Sequence, residues 1–368
     1  MAWMRIHEAA VKIPDLLIHG KVSFNFDGIP LMAEKLSLGR KMNLLKAGFN
    51  EMLKSNDLYG LPPILQIEPT NICNLKCPLC PSGSNSLTRP KGFMAMETFD
   101  RILDEMEDVL IAVYLFCFGE PFMHKKLDQM IQECSTRNIL TLTSTNGHYI
   151  QTLDDALKIV DAQLTVLIIA LDGSTQEIYG TYRKAGDIEK VKNCISLIER
   201  AKARRNSRFP YTAVRSVVTR ENENDLVNIE RVAKELGANM FTYKSLGCLT
   251  QDHGFKEFEP LEKDFRRFEY SSDSRLSKMP VQCPFAFRQP IVFWDGTVVG
   301  CEYDHLTEKA FGKVEEQSFR EMWNSNNARE LRRSIRKWKN RPHFCVNCPY
   351  QDRVQKGTYL MCKELRPF

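Results

Sequence analysis

The feature that most constrains this fold is a long alternation of apolar and amphipathic segments between Pro62 and Gly247. Short runs rich in aliphatic and β-branched residues alternate with segments whose apolar residues recur every three or four positions. Strands that alternate with helices predict an α/β fold with a parallel sheet, either open or curved into a partial barrel. In both forms, the loops after the strands build the active site. Six strands are predicted, at residues 64–68, 109–116, 140–143, 164–171, 211–218 and 239–243.

The composition is that of a globular protein. Of the 368 residues, 43% are hydrophobic and 26% are charged, which suits one large domain with an appendage, or two domains. The net charge of +5 suits an anionic substrate or cofactor but is too mild to indicate nucleic acid. Arg5, His7 and Lys12 interrupt the opening stretch, so no signal peptide is predicted. The longest apolar run, 109–118, is too short to span a bilayer, and we expect a cytoplasmic protein.

Residues 1–60 are predicted to form a helical extension, because their apolar residues recur at helical spacing with basic residues between them. The ordinary interpretation is a helix whose apolar face packs on the main domain. The alternative is a basic amphipathic surface that contacts a membrane or a partner. We favour packing, which explains most such stripes. The apolar residues are Leu38, Met42, Leu45, Phe49, Met52 and Leu53, and the basic ones are Arg40, Lys41, Lys46 and Lys54.

The chain has twelve cysteines, and clustered cysteines in a reducing compartment favour metal binding over disulfides. Cys73, Cys77 and Cys80 directly follow the first predicted strand. Thiolates suit iron–sulfur clusters or zinc. Three thiolates can hold three irons of a four-iron cluster and leave the fourth iron open, as a catalytic site requires. A Cys-x-x-Cys pair also occurs in zinc sites, so spacing alone does not exclude zinc.

The Cys-x3-Cys-x2-Cys spacing after the first strand resembles the hallmark of the radical S-adenosylmethionine (SAM) superfamily. The resemblance implies a partial (βα)6 barrel, similar to a TIM barrel, over residues 61–247, and a [4Fe–4S] cluster on these cysteines. In that family SAM binds the open iron, and an electron from the cluster cleaves it to methionine and a 5′-deoxyadenosyl radical. An external reductant such as flavodoxin or ferredoxin is implied as the electron source.

The residues after the second strand resemble the Gly-Gly-Glu-Pro motif of the same superfamily. That motif holds the amino group of SAM through a charge-assisted hydrogen bond and a close backbone approach. Phe118 replaces the first glycine, so the resemblance assigns cofactor binding to Gly119 and Glu120.

Two later motifs resemble cofactor-binding segments of the superfamily. Asn146 follows the third strand, where it either contacts the cofactor or makes a turn before Gly147. Asp172 ends the fourth strand, although Ala170 replaces the serine that often meets the cofactor ribose. Arg183 follows, and it either reaches a carboxylate or lies on the surface of a helix.

A second group of cysteines lies in a module predicted over residues 282–368, after a polar linker at 248–281. Its spacing resembles the SPASM region, an extension that holds auxiliary four-iron clusters. Since only Cys362 follows the last Cys-x-x-Cys pair, the module resembles the shortened, one-cluster twitch version. An all-cysteine zinc site is the alternative. The implied ligands of the second [4Fe–4S] cluster are Cys283, Cys301, Cys345 and Cys348.

The four-cysteine module resembles that of 2-deoxy-scyllo-inosamine dehydrogenase. In anaerobic sulfatase-maturating enzymes, an acid in this region acts as a base. Glu302 stands in that place, with Asp304 as a second candidate, and a solvent-facing turn is the alternative for Glu302. Further candidates for the substrate pocket follow or end the fifth and sixth strands: Arg215, Thr219, Tyr243 and Lys244.

The expected reaction is hydrogen abstraction from a substrate carbon, followed by two-electron oxidation of a sugar, cyclitol or lipid-linked molecule. The alternatives are a peptide maturase, a redox-neutral epimerase, and a non-catalytic iron–sulfur carrier or zinc protein. We favour a small molecule because residues 1–60 show no strand pairs of the kind that grip leader peptides.

Overall fold

The computed structural model describes residues 13–53, 55–247, 255–267, 270–271, 274–275, 283, 285–346, 348 and 360–367. Ahead of the barrel lie α1 (Asp15–His19), β1 (Val22–Phe26), β2 (Ile29–Ala33) and α2 (Leu38–Leu53). The prediction of a purely helical extension without strand pairs is therefore wrong, since β1 and β2 form an antiparallel hairpin. Its signal is the dipeptide Asp27-Gly28, whose φ angles of 47° and 79° are those that tight hairpin turns require.

The centre of the molecule is a sheet of six parallel strands, hydrogen-bonded in chain order. This order confirms the predicted α/β fold. At one edge the sheet continues into a strand of the cysteine-rich module, and at the other it ends in an antiparallel strand from the C-terminus. The six strands are β3 (Ile64–Ile67), β4 (Ala112–Leu115), β5 (Leu140–Thr145), β6 (Val166–Ala170), β7 (Tyr211–Val218) and β8 (Met240–Ser245).

Helices connect consecutive strands and cover the outer face of the sheet. Their apolar residues share one core with alternate strand residues such as Val113, Leu115 and Ile169, because successive side chains of a strand point to opposite faces. A one-turn 3-10 helix, Pro121–Met123, follows β4. The helices are α3 (Met96–Met106), α4 (Leu127–Thr136), α5 (Leu153–Asp161), α6 (Gln176–Tyr182), α7 (Ile188–Arg205) and α8 (Leu226–Glu235).

The N-terminal hairpin fills part of the barrel interior. Ile29 and Leu31 are buried in one cluster with inward-facing strand residues that include Tyr114 and Ile168. The ring of Phe26 packs edge-on against Tyr114, with centroids 4.9 Å apart. One side of the hairpin therefore packs against the interior face of the barrel, next to its turn.

Helix α2 packs on the main domain, but much of its buried side is polar rather than apolar. On that side Arg40 donates to three backbone carbonyls, at 2.6 to 3.0 Å, and Asn43 exchanges two hydrogen bonds with Leu61. Of the predicted apolar stripe, Leu38, Met42 and Phe49 are exposed, whereas Leu45 is half-buried and packs with Leu44 against a core cluster that includes Ile111. The predicted packing of the stripe on the main domain therefore holds for Leu45 but not for these three residues. The polar side is buried because it satisfies backbone groups that would otherwise lack partners. Three stripe positions lie outside the residues whose side chains the structure describes: Met52, Leu53 and Lys54.

The cysteine-rich module contains short strands and helices. The helix predicted near 319–337 is divided, and the hydroxyl of Ser325 caps its second part. No helix in the described parts of the chain has the length and apolar character needed to cross a bilayer. The elements that follow β8, in the predicted linker and module together, are α9 (Phe255–Phe258), a 3-10 turn (Lys263–Phe265), β9 (Tyr270–Ser271), β10 (Ser274–Arg275), α10 (Phe285–Arg288), β11 (Ile291–Val292), β12 (Thr297–Val299), β13 (Gly312–Lys313), α11 (Phe319–Trp323), α12 (Asn326–Lys337), α13 (His343–Val346) and β14 (Leu360–Glu364).

Two features concern the predicted domain boundaries, which stay predictions. Residues 248–254 and most of 268–282, in the predicted linker, lie outside the described residues. Strand β14, at the end of the predicted module, pairs antiparallel with β8 of the barrel. The last described strand thus belongs to the barrel sheet by its hydrogen bonds.

Candidate active site and cluster sites

The three cysteines of the first motif lie in one loop after β3. Cys77 is buried, and Cys73 and Cys80 are half-buried. Burial raises the pKa of the Cys73 thiol to about 12 and also raises the pKa of Cys77. Since burial disfavours a thiolate unless positive charge compensates, this donor set fits a thiolate-binding metal cluster. The surrounding apolar residues are Leu75, Leu79, Tyr182, Leu246, Phe255 and Phe258.

Gly119 and Glu120 hold the loop after β4 against the cysteine loop. Gly119 has a φ of +75°, and a Cβ atom there would lie 2.4 Å from the carbonyl oxygen of Thr70, so only glycine fits. The amide of Glu120 donates to the carbonyl of Ile72 at 2.8 Å. The ends of β3 and β4 are thereby joined beside Cys73.

The buried carboxylate of Glu120 accepts three hydrogen bonds. They come from the hydroxyl of Thr145 at 2.7 Å, the amide of Asn146 at 2.7 Å and the amide of Phe122 at 3.2 Å. Burial raises the pKa of Glu120 to about 7. A cation bound beside it would stabilise the charged carboxylate. The structure thus brings together two predicted site residues, Glu120 and Asn146, from neighbouring strands.

Asn146 makes the turn that the sequence allowed and also contacts the cysteine loop, while its contact with the cofactor stays a prediction. Its Oδ1 atom accepts from the amide of His148 at 3.2 Å, which is a turn of the Asx type. Its Nδ2 atom donates to Oδ1 of Asn74 at 2.8 Å and lies 3.8 Å from Sγ of Cys73. Asn146 therefore joins the loop after β5 to the cysteine loop.

Asp172 and Arg183 form an ion pair behind the cysteine loop. Asp172 accepts from the amide of Val217 at 2.6 Å and from Nε of Arg183, while Nη1 of Arg183 lies 3.8 Å from Sγ of Cys77. The surface alternative for Arg183 is wrong, because its side chain is only 17% exposed. Asn222, which the sequence analysis missed, donates to the carbonyl of Asp172 at 3.0 Å. No motif marks Asn222.

The four C-terminal cysteines line one cavity. The rest of its lining is apolar except for Arg341, so the thiols are the only donors suited to a soft metal in the described lining. Among the described residues, no three histidine, cysteine or carboxylate side chains lie close enough together to hold a single ion. Four thiols in an otherwise apolar cavity suit a closed four-iron cluster. The cysteines are Cys283, Cys301, Cys345 and Cys348.

Glu302 directly follows Cys301, and its electrostatic neighbours are Lys244, Asp27 and Arg267. Its side chain is half-buried, and burial raises its pKa, while Lys244 and Arg267 oppose that shift and Asp27 adds to it. No hydrogen bond joins this carboxylate to any residue that the structure describes. The arrangement suits a group that exchanges a proton with a bound molecule.

The tip of the N-terminal hairpin contributes to the same interior. Oδ2 of Asp27 lies 2.7 Å from Nζ of Lys244 and 3.3 Å from Nη1 of Arg215. Nε of Arg215 also donates to the hydroxyl of Thr242 at 3.0 Å. Two predicted pocket residues, Arg215 and Lys244, are therefore brought together by a residue that the sequence analysis missed. The Asp-Gly turn could have revealed the hairpin but not where it inserts.

Three other candidates have structural contacts instead. Asp304 is buried and accepts from the amides of Glu308 and Lys309, at 2.6 and 2.9 Å, so it organises a turn. The amide of Thr219 donates to Oδ1 of a nearby asparagine at 2.7 Å, within the loop after β7. The ring of Tyr243 packs edge-on against another aromatic ring, with centroids 5.8 Å apart.

A buried ion pair joins the barrel to the cysteine-rich module. Glu68, at the end of β3, lies 2.9 Å from Nη2 of Arg89. Arg89 also donates to the carbonyl of His305 at 2.9 Å and stacks 3.7 Å from the ring centre of Phe293. Both members belong to the barrel, and the pair contacts the module through His305 and Phe293; the sequence analysis did not identify it, because no motif marks either residue.

This combination of a parallel α/β sheet, a three-cysteine loop and a second four-cysteine cavity defines an iron–sulfur enzyme class. Residues 67–233 match the model of the Radical SAM superfamily, and residues 283–349 match that of the SPASM iron–sulfur cluster-binding domain. The chain belongs to the radical SAM superfamily, with its partial barrel fold and a C-terminal SPASM domain. It is a radical SAM enzyme that uses SAM, a [4Fe–4S] cluster and an auxiliary cluster.

Two curated relatives illustrate the range of the family. The chain is 25% identical to the cofactor-modifying protein of tungsten-containing aldehyde ferredoxin oxidoreductase from Pyrococcus furiosus, over 71% of this chain and 80% of that protein. It is 24% identical to a cysteine-type anaerobic sulfatase-maturating enzyme from Clostridium novyi, over 77% of this chain and 84% of that protein.

Solved structures show the same fold. SuiB from Streptococcus suis, bound to SAM, matches with a TM-score of 0.60 at 14% identity, over 85% of this chain and 76% of that chain. The native enzyme anSMEcpe, with bound SAM and the Kp18Cys peptide, matches with a TM-score of 0.57 at 18% identity, over 79% of this chain and 88% of that chain.

Proposed function

We propose that Cys73, Cys77 and Cys80 hold the [4Fe–4S] cluster to which SAM binds. The observation that carries this proposal is the convergence of the three-thiol loop with the Glu120 carboxylate and the Arg183 guanidinium at one edge of the sheet. When bound, the reduced cluster and SAM supply a carbon-centred radical that removes a hydrogen atom from the substrate.

The residues around this loop position the cofactor by charge. The Glu120 carboxylate suits the ammonium group of SAM, and Gly119 leaves room for its approach. The N–H groups of Arg183 that Asp172 does not engage suit the cofactor carboxylate. Asp172 has both oxygens occupied, so it contributes by holding Arg183. Asn146 offers its amide group beside the cysteine loop.

The second cluster fits the cavity of the cysteine-rich module. Four thiols can bind all four irons of a cluster, which leaves no iron open to water or substrate. The rest of the described lining is apolar except for Arg341. A closed four-cysteine cluster of this kind supplies electron transfer when bound. Its proposed ligands are Cys283, Cys301, Cys345 and Cys348.

The proposed net reaction is a two-electron oxidation of a hydroxyl-bearing small molecule, such as a sugar, a cyclitol or a lipid-linked molecule. Glu302 accepts the proton that the substrate hydroxyl loses, because its carboxylate faces the interior and is free of other hydrogen bonds among the described residues. The ion-paired side chains of Asp27, Arg215 and Lys244 supply hydrogen-bond donors and acceptors for polar substrate groups. Flavodoxin or ferredoxin is the proposed reductant.

Peptide modification is the second candidate. Relatives include a PqqA peptide cyclase, and SuiB has been solved with its precursor peptide SuiA. The hairpin also removes the argument that residues 1–60 lack strand pairs. The small-molecule proposal therefore depends on the charged interior alone.

The test is to mix reduced, reconstituted protein and SAM with deuterated candidates, a polyol set and a peptide set. Deuterium in 5′-deoxyadenosine identifies the class whose carbon loses hydrogen. We expect transfer from a polyol and none from the variant in which Cys73, Cys77 and Cys80 are all alanine. Transfer from a peptide alone would favour the second candidate.

A further inference from the structure

Helix α2 presents an apolar stripe to solvent. The exposed fractions of Leu38, Met42 and Phe49 are 74%, 43% and 53%. The spacings among these residues are four, seven and eleven positions, which places them on one side of a helix with 3.6 residues per turn. Leu45, on the same side of the helix, is half-buried against a core cluster, so the exposed part of the stripe consists of Leu38, Met42 and Phe49.

Lysines flank this stripe on both sides. At 3.6 residues per turn, Lys41 lies on one side of the line through Leu38, Met42 and Phe49, and Lys46 lies on the other. Over Leu38–Leu53 the sequence of α2 has three basic residues and one acidic residue, Glu51. An apolar stripe with a lysine on each side is the pattern of a helix that lies in a lipid headgroup region.

The preceding turn α1 extends the same surface. Nζ of Lys41 donates to the carbonyl of Leu17 at 3.0 Å, which ties α1 to the flank of α2. The exposed fractions of Leu17 and Ile18 are 44% and 72%. Five large apolar side chains from adjacent elements are therefore exposed, where a globular surface normally has scattered single ones.

We propose that this surface, formed by α1 and α2, binds the face of an anionic membrane, with α2 parallel to the bilayer. The apolar stripe enters the acyl boundary while the lysines stay at the level of the headgroups. The lysines match anionic lipid, whereas a symmetric contact with a second copy would bring like charges together. This proposal is independent of the proposed reaction.

The test is flotation of the reconstituted full chain with vesicles of phosphatidylcholine alone, or of equal parts phosphatidylcholine and phosphatidylglycerol. Wild type should float with the anionic vesicles, and salt should weaken binding. The variant L38Q/M42Q/F49Q should lose at least about tenfold in affinity, and Lys41→Gln or Lys46→Gln about fivefold each. The matched control replaces exposed apolar residues elsewhere, as V227Q/L261Q/L306Q, and should bind as wild type does.

Three outcomes would overturn the proposal. Wild type does not bind anionic vesicles, or the control variant loses as much affinity as the stripe variant. Alternatively, light scattering shows a dimer in solution that L38Q/M42Q/F49Q converts to a monomer, which would assign the surface to a second copy. Circular dichroism and SAM cleavage by each variant show that the fold is intact.

Discussion

Nη1 of Arg183 lies 3.8 Å from Sγ of Cys77, in a loop more than one hundred residues earlier in the chain. Asp172 holds the same guanidinium from the other side. A fixed cation next to a thiol favours its thiolate form and leaves other N–H groups available at the edge of the cysteine loop. Arg183 thereby connects the cluster site to the proposed cofactor site.

Replacing Arg183 should weaken SAM binding without removing the cluster. In Arg183→Lys the charge remains but the planar fork is lost, and a hydrogen bond to a charged group contributes about 1.5–3 kcal/mol. We expect the Kd for SAM, measured by equilibrium dialysis under anaerobic conditions, to rise about tenfold to hundredfold with unchanged iron content. An unchanged Kd would show that Arg183 serves only the loop.

SAM affinity should depend on pH through Glu120. The folded-state pKa of Glu120 is about 7, against an ordinary value of 4.5, so the folded protein binds this proton more tightly than the unfolded chain. Ionisation of Glu120 therefore lowers the free energy of unfolding as pH rises from 4.5 to about 7. SAM binding needs the charged form, so affinity should fall below pH 7, by up to about tenfold per pH unit. In Glu120→Gln the affinity should be lower and flat in this range, and a retained pH profile would contradict the assignment.

Each of the two cysteine groups should hold about half of the iron bound by the protein. Two four-iron clusters predict roughly eight irons per chain. Replacing Cys283, Cys301, Cys345 and Cys348 together by alanine should leave roughly four, with SAM cleavage by the remaining cluster still detectable. Cys362→Ala is the matched control and should keep all the iron. Zinc in wild type that the fourfold variant loses would contradict the second cluster.

The hairpin tip should affect the substrate more than SAM. In Asp27→Asn, Lys244 and Arg215 lose the carboxylate that they share inside the barrel. We expect product formation to fall at least about tenfold, while abortive SAM cleavage continues. The control Glu34→Gln removes an exposed ion pair with Lys21 near the other end of the hairpin. It should change neither product formation nor abortive SAM cleavage. Equal loss of both activities in Asp27→Asn would indicate a general folding defect.

The buried pair of Glu68 and Arg89 should dominate the docking of the cysteine-rich module. Arg89→Met leaves a carboxylate with no counter-ion and should cost about 3–5 kcal/mol of unfolding free energy, measured by urea denaturation. The double variant E68Q/R89M should recover part of that loss. Breaking the exposed pair of Arg205 and Asp161, in Arg205→Met, should cost less than about 1 kcal/mol. Similar losses for both pairs would contradict this ranking.

Local patterns in the sequence determined the class of fold and the chemistry of the two cysteine groups. The alternation of strand and helix periods specifies a parallel sheet. It can be recognised in the sequence because each period depends only on neighbouring residues. The spacing of Cys73, Cys77 and Cys80 can be recognised for the same reason, since all three cysteines lie in one loop. Glu120 and Asn146 could be predicted because their motifs resemble those of the superfamily, and they meet because both follow the ends of adjacent parallel strands.

Tertiary structure alone decided the orientation of α2, the insertion of the hairpin and the partners of Arg183. Periodicity shows which residues of a helix share a side, but not which side is buried. In α2 the side with Arg40 is buried because backbone carbonyls just beyond the ends of α3 and α4 need its donors. Asp27 reaches Lys244 only because the barrel interior has room for a hairpin, and that room is set by the whole sheet rather than by any single segment.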